Sequence, residues 1–191
     1  MGIASLSDYR KEFKFHINRG LCGLSCNVIL KGRRKFDFDV FLPSIGCNLQ
    51  RKHVWTLEQK RELIFSIIKG VNIGKITLIQ HETKDDTIYQ VIDGKQRLSA
   101  IIDFIFGVFE IILCDGVSYT YFNLPKDIKQ EITLFDIISD IGYSYHDRPI
   151  TDKEKIEWFE LINFTGTPQD KEHLNKLKNG KDNHNNSDGI L

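Results

Sequence analysis

The chain has 191 residues, 41% of them hydrophobic and 27% charged, with 26 basic residues against 26 acidic ones. That is an ordinary globular composition, long enough to bury a core rich in its thirteen phenylalanines. A formal net charge of zero argues against a strongly basic protein that coats nucleic acid, although it allows a local basic face.

No basic-then-apolar leader opens the chain, and no apolar run reaches the roughly 18 residues that a membrane helix needs. The expectation is a cytoplasmic protein with no membrane partner. Of the four cysteines, Cys22 and Cys26 are spaced C-x3-C, but no compact second pair follows Cys47 or Cys114. Zinc sites want two close pairs, so these read as reduced structural thiols.

In chain order, Ser7 to Phe15 reads as a short helix and Leu21 to Asn27 as a loop. The apolar run Val28–Leu30 and the alternating run Phe36–Leu42 have the pattern of a hairpin around a basic turn. That turn holds Arg33, Arg34 and Lys35, which are candidate DNA contacts or simply a solvated turn. Pro43 to Leu49 reads as irregular. Thr56 followed by Gln59 is a capping-box pattern, and Leu63, Ile64, Ile67 and Ile68 continue at helical spacing until Gly70. Lys75–Gln80 and Thr87–Ile92 read as a strand pair around the polar turn Thr83–Asp86. Leu98–Phe106 reads as a helix closed by Gly107.

Further on, Val108–Leu113 and Ser118–Phe122 read as strands joined at Asp115-Gly116, a good hairpin signal. A helix is expected from Leu124-Pro125 to Ile132. Leu134–Ile138 fits strand or helix equally, and Tyr143–Ile150 reads as a loop. A helix runs from Thr151 or Asp152 to Asn163. Phe164–Pro168 is a sharp turn before a last helix over Gln169–Leu177, and the polar stretch 178–191 is expected to be disordered.

Three stretches can carry chemistry. Asp93-Gly94-Lys95-Gln96-Arg97 joins a strand to a helix, a geometry that points backbone N–H groups at an anion. Gly94 permits close backbone approach, and Arg97 can grip phosphate oxygens in pairs. Asp93 can hold Mg²⁺, orient water or accept a proton. A tight turn, with Asp93 capping the helix and Arg97 in a surface salt bridge, explains the same residues without a ligand. Gln50-Arg51 ahead of Trp55 offers a second cation and an amide, or else a polar loop. Asn163, with Thr165-Gly166-Thr167 after it, offers hydroxyls and amides, or else a plain helix end.

Taken in order, Leu49-Gln50-Arg51-Lys52-His53-Val54-Trp55, Ile92-Asp93-Gly94-Lys95-Gln96-Arg97-Leu98 and Phe159-Glu160-Leu161-Ile162-Asn163-Phe164-Thr165-Gly166-Thr167 resemble one family. It is the N-terminal domain shared by GmrSD-type restriction enzymes and SspE-type phage-defence proteins, within the ParB/sulfiredoxin-like superfamily. The resemblance implies an α/β (α+β) fold: a mixed sheet with flanking helices and a C-terminal helical extension. Residues 1–122 would form the nucleotide-binding core, 123–177 the helical extension, and 178–191 a tail. It also implies a pocket for ATP or GTP with Mg²⁺, lined by Gln50, Arg51, Asp93, Gly94, Lys95, Gln96 and Arg97, with Asn163 and Thr165 nearby. Asp93, Gln96 and Arg97 would be catalytic, and Asp93 the metal ligand.

The implied activity is NTP hydrolysis tied to sensing modified DNA, with possible self-association. A kinase acting on a small molecule or a hydroxymethylated base, and a non-catalytic DNA-binding decoy, are the alternatives. The chain departs from the family pattern at Lys95, where a Gln is usual, and at His53 and Leu161. No nuclease-like His cluster follows, so the chain looks like a stand-alone, phage-encoded or accessory copy.

Overall fold

The computed structural model describes residues 15–18, 20, 24–32, 34–50, 54–82, 86–144 and 148–164. The expected features at Ser7–Lys14, Cys22, Arg33, Arg51–His53 and 165–191 lie outside that set.

A five-stranded mixed sheet, in the order β1-β9-β5-β6-β2, organises the chain. Its strands are β1 (Phe15–Asn18), β2 (Lys35–Asp37), β5 (Ile76–Glu82), β6 (Thr87–Asp93) and β9 (Ser139–Ser144). The β2/β6 and β5/β9 pairs are parallel, whereas β5/β6 and β1/β9 are antiparallel. Two short ribbons stand apart: β3 (Phe41–Leu42) with β4 (Cys47–Asn48), and β7 (Ile111–Ile112) with β8 (Ser118–Tyr119).

Strand alternation sends side chains to two separate cores. Ile76 and Leu78 of β5 and Val91 of β6 enter one core, while Ile79 and Ile92 enter the other. Helices α1 (Cys26–Leu30), α2 (Leu57–Ile68), α3 (Lys95–Ile105) and α4 (Lys126–Leu134) cover the first face. From α3 alone, Leu98, Ile101, Phe104 and Ile105 are fully buried there, which is the 3.6-residue period of one apolar stripe. Helix α5 (Asp152–Phe164) covers the second face with Ile156, Trp158 and Phe159, joined by Leu42 and Leu49 from the first ribbon.

Local signals explain the elements that the sequence announces. Thr56 Oγ1 accepts the Gln59 N–H at 3.3 Å, and Gln59 Oε1 accepts the Thr56 N–H at 2.9 Å, so the expected capping box opens α2. The Asp115-Gly116 turn joins β7 to β8 as expected, although each strand is only two residues long.

Several expectations are corrected. Val28–Leu30 is not a strand: Ser25 Oγ accepts the Val28 N–H at 3.4 Å and starts α1. No hairpin forms around the basic turn, because β2 stops at Asp37, pairs with β6, and gives way to a bend before β3. Part of the stretch read as irregular, Cys47–Asn48, is a strand. Leu134 ends α4, and Asp136 makes only an isolated bridge with Ser25. The helix expected from Leu98 begins three residues earlier, at Lys95. Tyr143 and Ser144, expected in a loop, end β9.

Strand β9 lies between β1 and β5, and its sequence, Ser-Asp-Ile-Gly-Tyr-Ser, lacks the apolar alternation of a central strand. Its acidic side chain, Asp140, is answered inside the fold. Asp140 accepts Lys75 Nζ at 2.6 Å and the Gly20 N–H at 3.3 Å. At Gly142 a Cβ would meet the Trp158 ring at 2.8 Å, so the missing side chain is what admits the α5 tryptophan.

Candidate functional site

The turn from β6 into α3 is built around Gly94, which caps the helix at φ 89°, ψ 15°. This left-handed conformation suits glycine. A Cβ there would also lie 3.1–3.3 Å from three atoms of the Ile76 side chain. The cap residue, a glycine, offers no side-chain bond to the first turn of α3, and the Gly94 carbonyl accepts the Leu98 N–H at 2.9 Å. Lys95, Gln96 and Arg97 therefore occupy the first turn of the helix, where backbone N–H groups have no carbonyl partner within the helix itself. Asp93, which the ligand-free reading would make the cap, is instead the last residue of β6.

Each side chain of the motif has a definite partner. Arg97 Nη2 donates to Asp93 Oδ2 at 3.0 Å, and Nη1 donates to the Ile73 carbonyl at 2.9 Å. At Gly74, a Cβ would lie 2.5 Å from Arg97 Nη1, so a side chain there would displace the guanidinium. Lys95 is buried, with its side chain 7% exposed, and its Nζ donates to Asp39 Oδ1 at 2.9 Å. Asp39 is largely exposed, and the Lys95 ammonium holds its carboxyl below the usual carboxylate range.

The two glutamines fasten the upstream segment to this turn. Gln50 Nε2 donates to the Val91 carbonyl at 2.8 Å, just past the point where β2 stops pairing with β6. Gln96 Oε1 accepts the N–H groups of both Val54 and Trp55, each at 3.2 Å. Two stretches some forty residues apart in sequence are thus tied to one strand-to-helix turn.

Of the expected site residues, Gln50, Asp93, Gly94, Lys95, Gln96 and Arg97 are brought together. Asn163 sits on the last turn of α5, and its Nδ2 donates to the Phe159 carbonyl of its own helix at 2.7 Å. Arg51 and Thr165 lie outside the described residues. In the basic cluster, the Arg34 guanidinium stacks 4.6 Å from the centre of the Tyr89 ring, and Lys35 pairs with Asp86. Both cations are engaged within the chain, and Arg33 is outside the described set.

Asp39 and the Ile73 carbonyl belong to this constellation but were not anticipated. In the alternation Phe36-Asp37-Phe38-Asp39, Asp39 falls on the polar face of the expected strand, so the sequence does not mark it as a partner for Lys95. A backbone carbonyl such as that of Ile73 leaves no mark in the sequence.

Among the described residues, no group of three or more His, Cys, Asp or Glu side chains is placed to hold a metal ion by itself. Cys26 is buried, Cys47 half-buried and Cys114 exposed, each as a reduced thiol. Burial pushes the Cys26 thiol up to about 12.

Residues 29–190 match the family described as the GmrSD restriction endonuclease, N-terminal domain, and the chain belongs to that family. Neither a curated protein nor a solved structure matches the chain.

Proposed function

We propose that this member of the family binds a nucleoside triphosphate with Mg²⁺ at the first turn of α3, and hydrolyses it in a restriction or defence role that involves modified DNA. The proposal includes a ParB/sulfiredoxin-like ancestry for the sheet. The observation that carries it is the Gly94 cap: a helix start whose cap residue has no side chain of its own, flanked by Asp93, Gln96 and Arg97. Helix N-termini of this kind favour phosphate through oriented N–H groups and the helix dipole. Family membership supports the restriction or defence setting.

The residues fit a nucleotide with its metal. One Asp93 oxygen accepts Arg97, which leaves the other for a cation. Mg²⁺ commonly takes one or two carboxylates and draws its remaining ligands from phosphate and water, so a lone Asp is enough. The bound metal would supply neutralisation of phosphate charge. Arg97 would share its guanidinium between Asp93 and a phosphate oxygen, with the Ile73 carbonyl keeping its plane fixed. Lys95 would not reach the phosphates from its present place, because its ammonium is spent on Asp39. Gln96 and Gln50 act as positioning residues that hold the 50–55 segment against the turn. Catalysis at such a site is mostly positioning and electrostatics.

The test is to incubate the chain with ATP or GTP and Mg²⁺, with and without plain or hydroxymethylated DNA, and to follow the γ-phosphate. Free phosphate is the expected product. Phosphate transferred to DNA or to a small hydroxyl compound would replace hydrolysis with the kinase reading. DNA binding without turnover would leave a non-catalytic module.

A further inference from the structure

The chain just past α3 alternates in burial. Phe109 and Ile111 are buried, while Val108, Glu110 and Ile112 are exposed, so alternate side chains of this run point away from the core. Two neighbours extend that outward face. Ile112 pairs with Ser118 across the β7/β8 ribbon, and the Leu113 N–H donates to the Val117 carbonyl at 3.1 Å, which sets Val117 beside Ile112. At the other end, a Cβ on Gly107 would lie 2.8 Å from the Phe122 ring, so Phe122 lies over the turn between Phe106 and Val108. Phe106, Val108, Ile112, Val117 and Phe122 each leave between 48% and 68% of their surface in solvent.

Those five residues amount to about 500 Å² of exposed apolar surface, taking a whole phenylalanine as about 200 Å² and valine and isoleucine as somewhat less. That is near the top of the range for the largest apolar patch on a monomer. A standard interface covers about 800 Å² on each partner, and in homodimers about 65% of it is apolar. The strip therefore supplies the apolar share of one such half.

Its rim carries both signs, separated along the strip. Asp115 stands at the Val117 end, and Lys126, which opens α4, at the Phe122 end. Glu110 lies between them, with its carboxylate accepting the Ser118 hydroxyl of the same ribbon. An anionic membrane or a nucleic acid would meet repulsion from Asp115 and Glu110. A second copy turned end for end about a two-fold axis instead sets Lys126 of each chain against Asp115 of the other.

We propose that this strip is a homodimer interface, in which Val108 and Phe122 of one copy pack against Ile112 and Val117 of the other. Helix α3, eleven residues and about 16 Å long, puts the strip at the far end from the Gly94 turn. The interface shares no residue with that turn, so the inference stands whether or not the turn binds a nucleotide.

The test is sedimentation velocity of the full chain across the micromolar range. Wild type is compared with Val108→Glu, Val117→Glu, Lys126→Glu and Leu161→Ser, the fold of each being checked by circular dichroism. A reversible dimer of the 22.2 kDa chain is expected. Val108→Glu and Val117→Glu each put a charge on the apolar strip and should weaken the dimer at least tenfold. Lys126→Glu should weaken it several-fold, and Leu161→Ser, at an exposed apolar residue of α5, should leave it unchanged. All four side chains are exposed, so the variants should fold, and either strip variant alone decides the matter if the other does not. A wild-type chain that stays monomeric throughout, or that grows beyond a dimer, overturns the proposal. So does a dimer that a folded Val108→Glu or Val117→Glu chain keeps at full strength, one that Lys126→Glu leaves unchanged, or one that Leu161→Ser abolishes.

Discussion

Helix α5 packs on one face of the sheet, and its first turn is held by a single carboxylate. Glu154 Oε2 accepts the Thr151 N–H at 2.9 Å and the Thr151 hydroxyl at 2.8 Å, while Arg148 grips both carboxylate oxygens. Burial pushes this carboxyl up, but Arg148 and Thr151 outweigh it and hold it at about 2, against an ordinary 4.5. That difference corresponds to about 3 kcal/mol at full strength. The Arg148 side chain is 41% exposed, so solvent screening lowers the expected contribution to about 2 kcal/mol.

The perturbation to make is Glu154→Gln, which keeps an acceptor for Thr151 and removes the charge. A folded-state value below the unfolded one means the stabilisation is complete above pH 4.5 and is lost as pH falls toward 2. Urea unfolding of both proteins at pH 7 and pH 3 checks this. The variant is expected to be about 2 kcal/mol less stable at pH 7, with the gap reduced to half or less at pH 3. A gap of the same size at both values would refute the argument, as would none at pH 7.

Other expectations concern the turn and the thiols. Gly94→Ala places a Cβ at positive φ and against Ile76, so the melting curve should show a loss of about 1–2 kcal/mol, together with weakened nucleotide binding. Of the described thiols, exposed Cys114 should react with a disulfide reagent at neutral pH, while Cys26, buried and pushed up to about 12, should stay unmodified in the native protein. Peptide mass mapping after a brief exposure distinguishes them, and rapid native modification of Cys26 would contradict its placement.

The sequence announces α2, the β5–β6 pair and the Gly94 turn because local chemistry decides them: a capping box, alternating apolar residues and a single glycine between strand and helix. It hides β9, because a central strand with Ser, Asp and Gly is made possible only by Lys75, by the Gly20 N–H and by Trp158 packing over Gly142. The basic turn misleads for a related reason. Val28–Leu30 has strand composition, but a Ser25 cap converts it to a helical turn, and β2 takes a distant partner, β6, instead.

Within the site, the motif residues are legible as a set, but their commitments are not. Nothing in Asp-Gly-Lys-Gln-Arg says that Lys95 turns inward to Asp39 while Arg97 turns to Asp93 and Ile73.

The central claim is that phosphate binds at the Gly94 turn with Arg97 as its side-chain anchor. The direct measurement is equilibrium binding of ATP and GTP, with Mg²⁺, to the wild-type chain and to Arg97→Ala, with the fold of each checked by circular dichroism. Saturable wild-type binding of one nucleotide is expected, weakened at least tenfold in a folded Arg97→Ala protein. Equal affinity in the two proteins, or no binding of either nucleotide to the wild type, would contradict the claim.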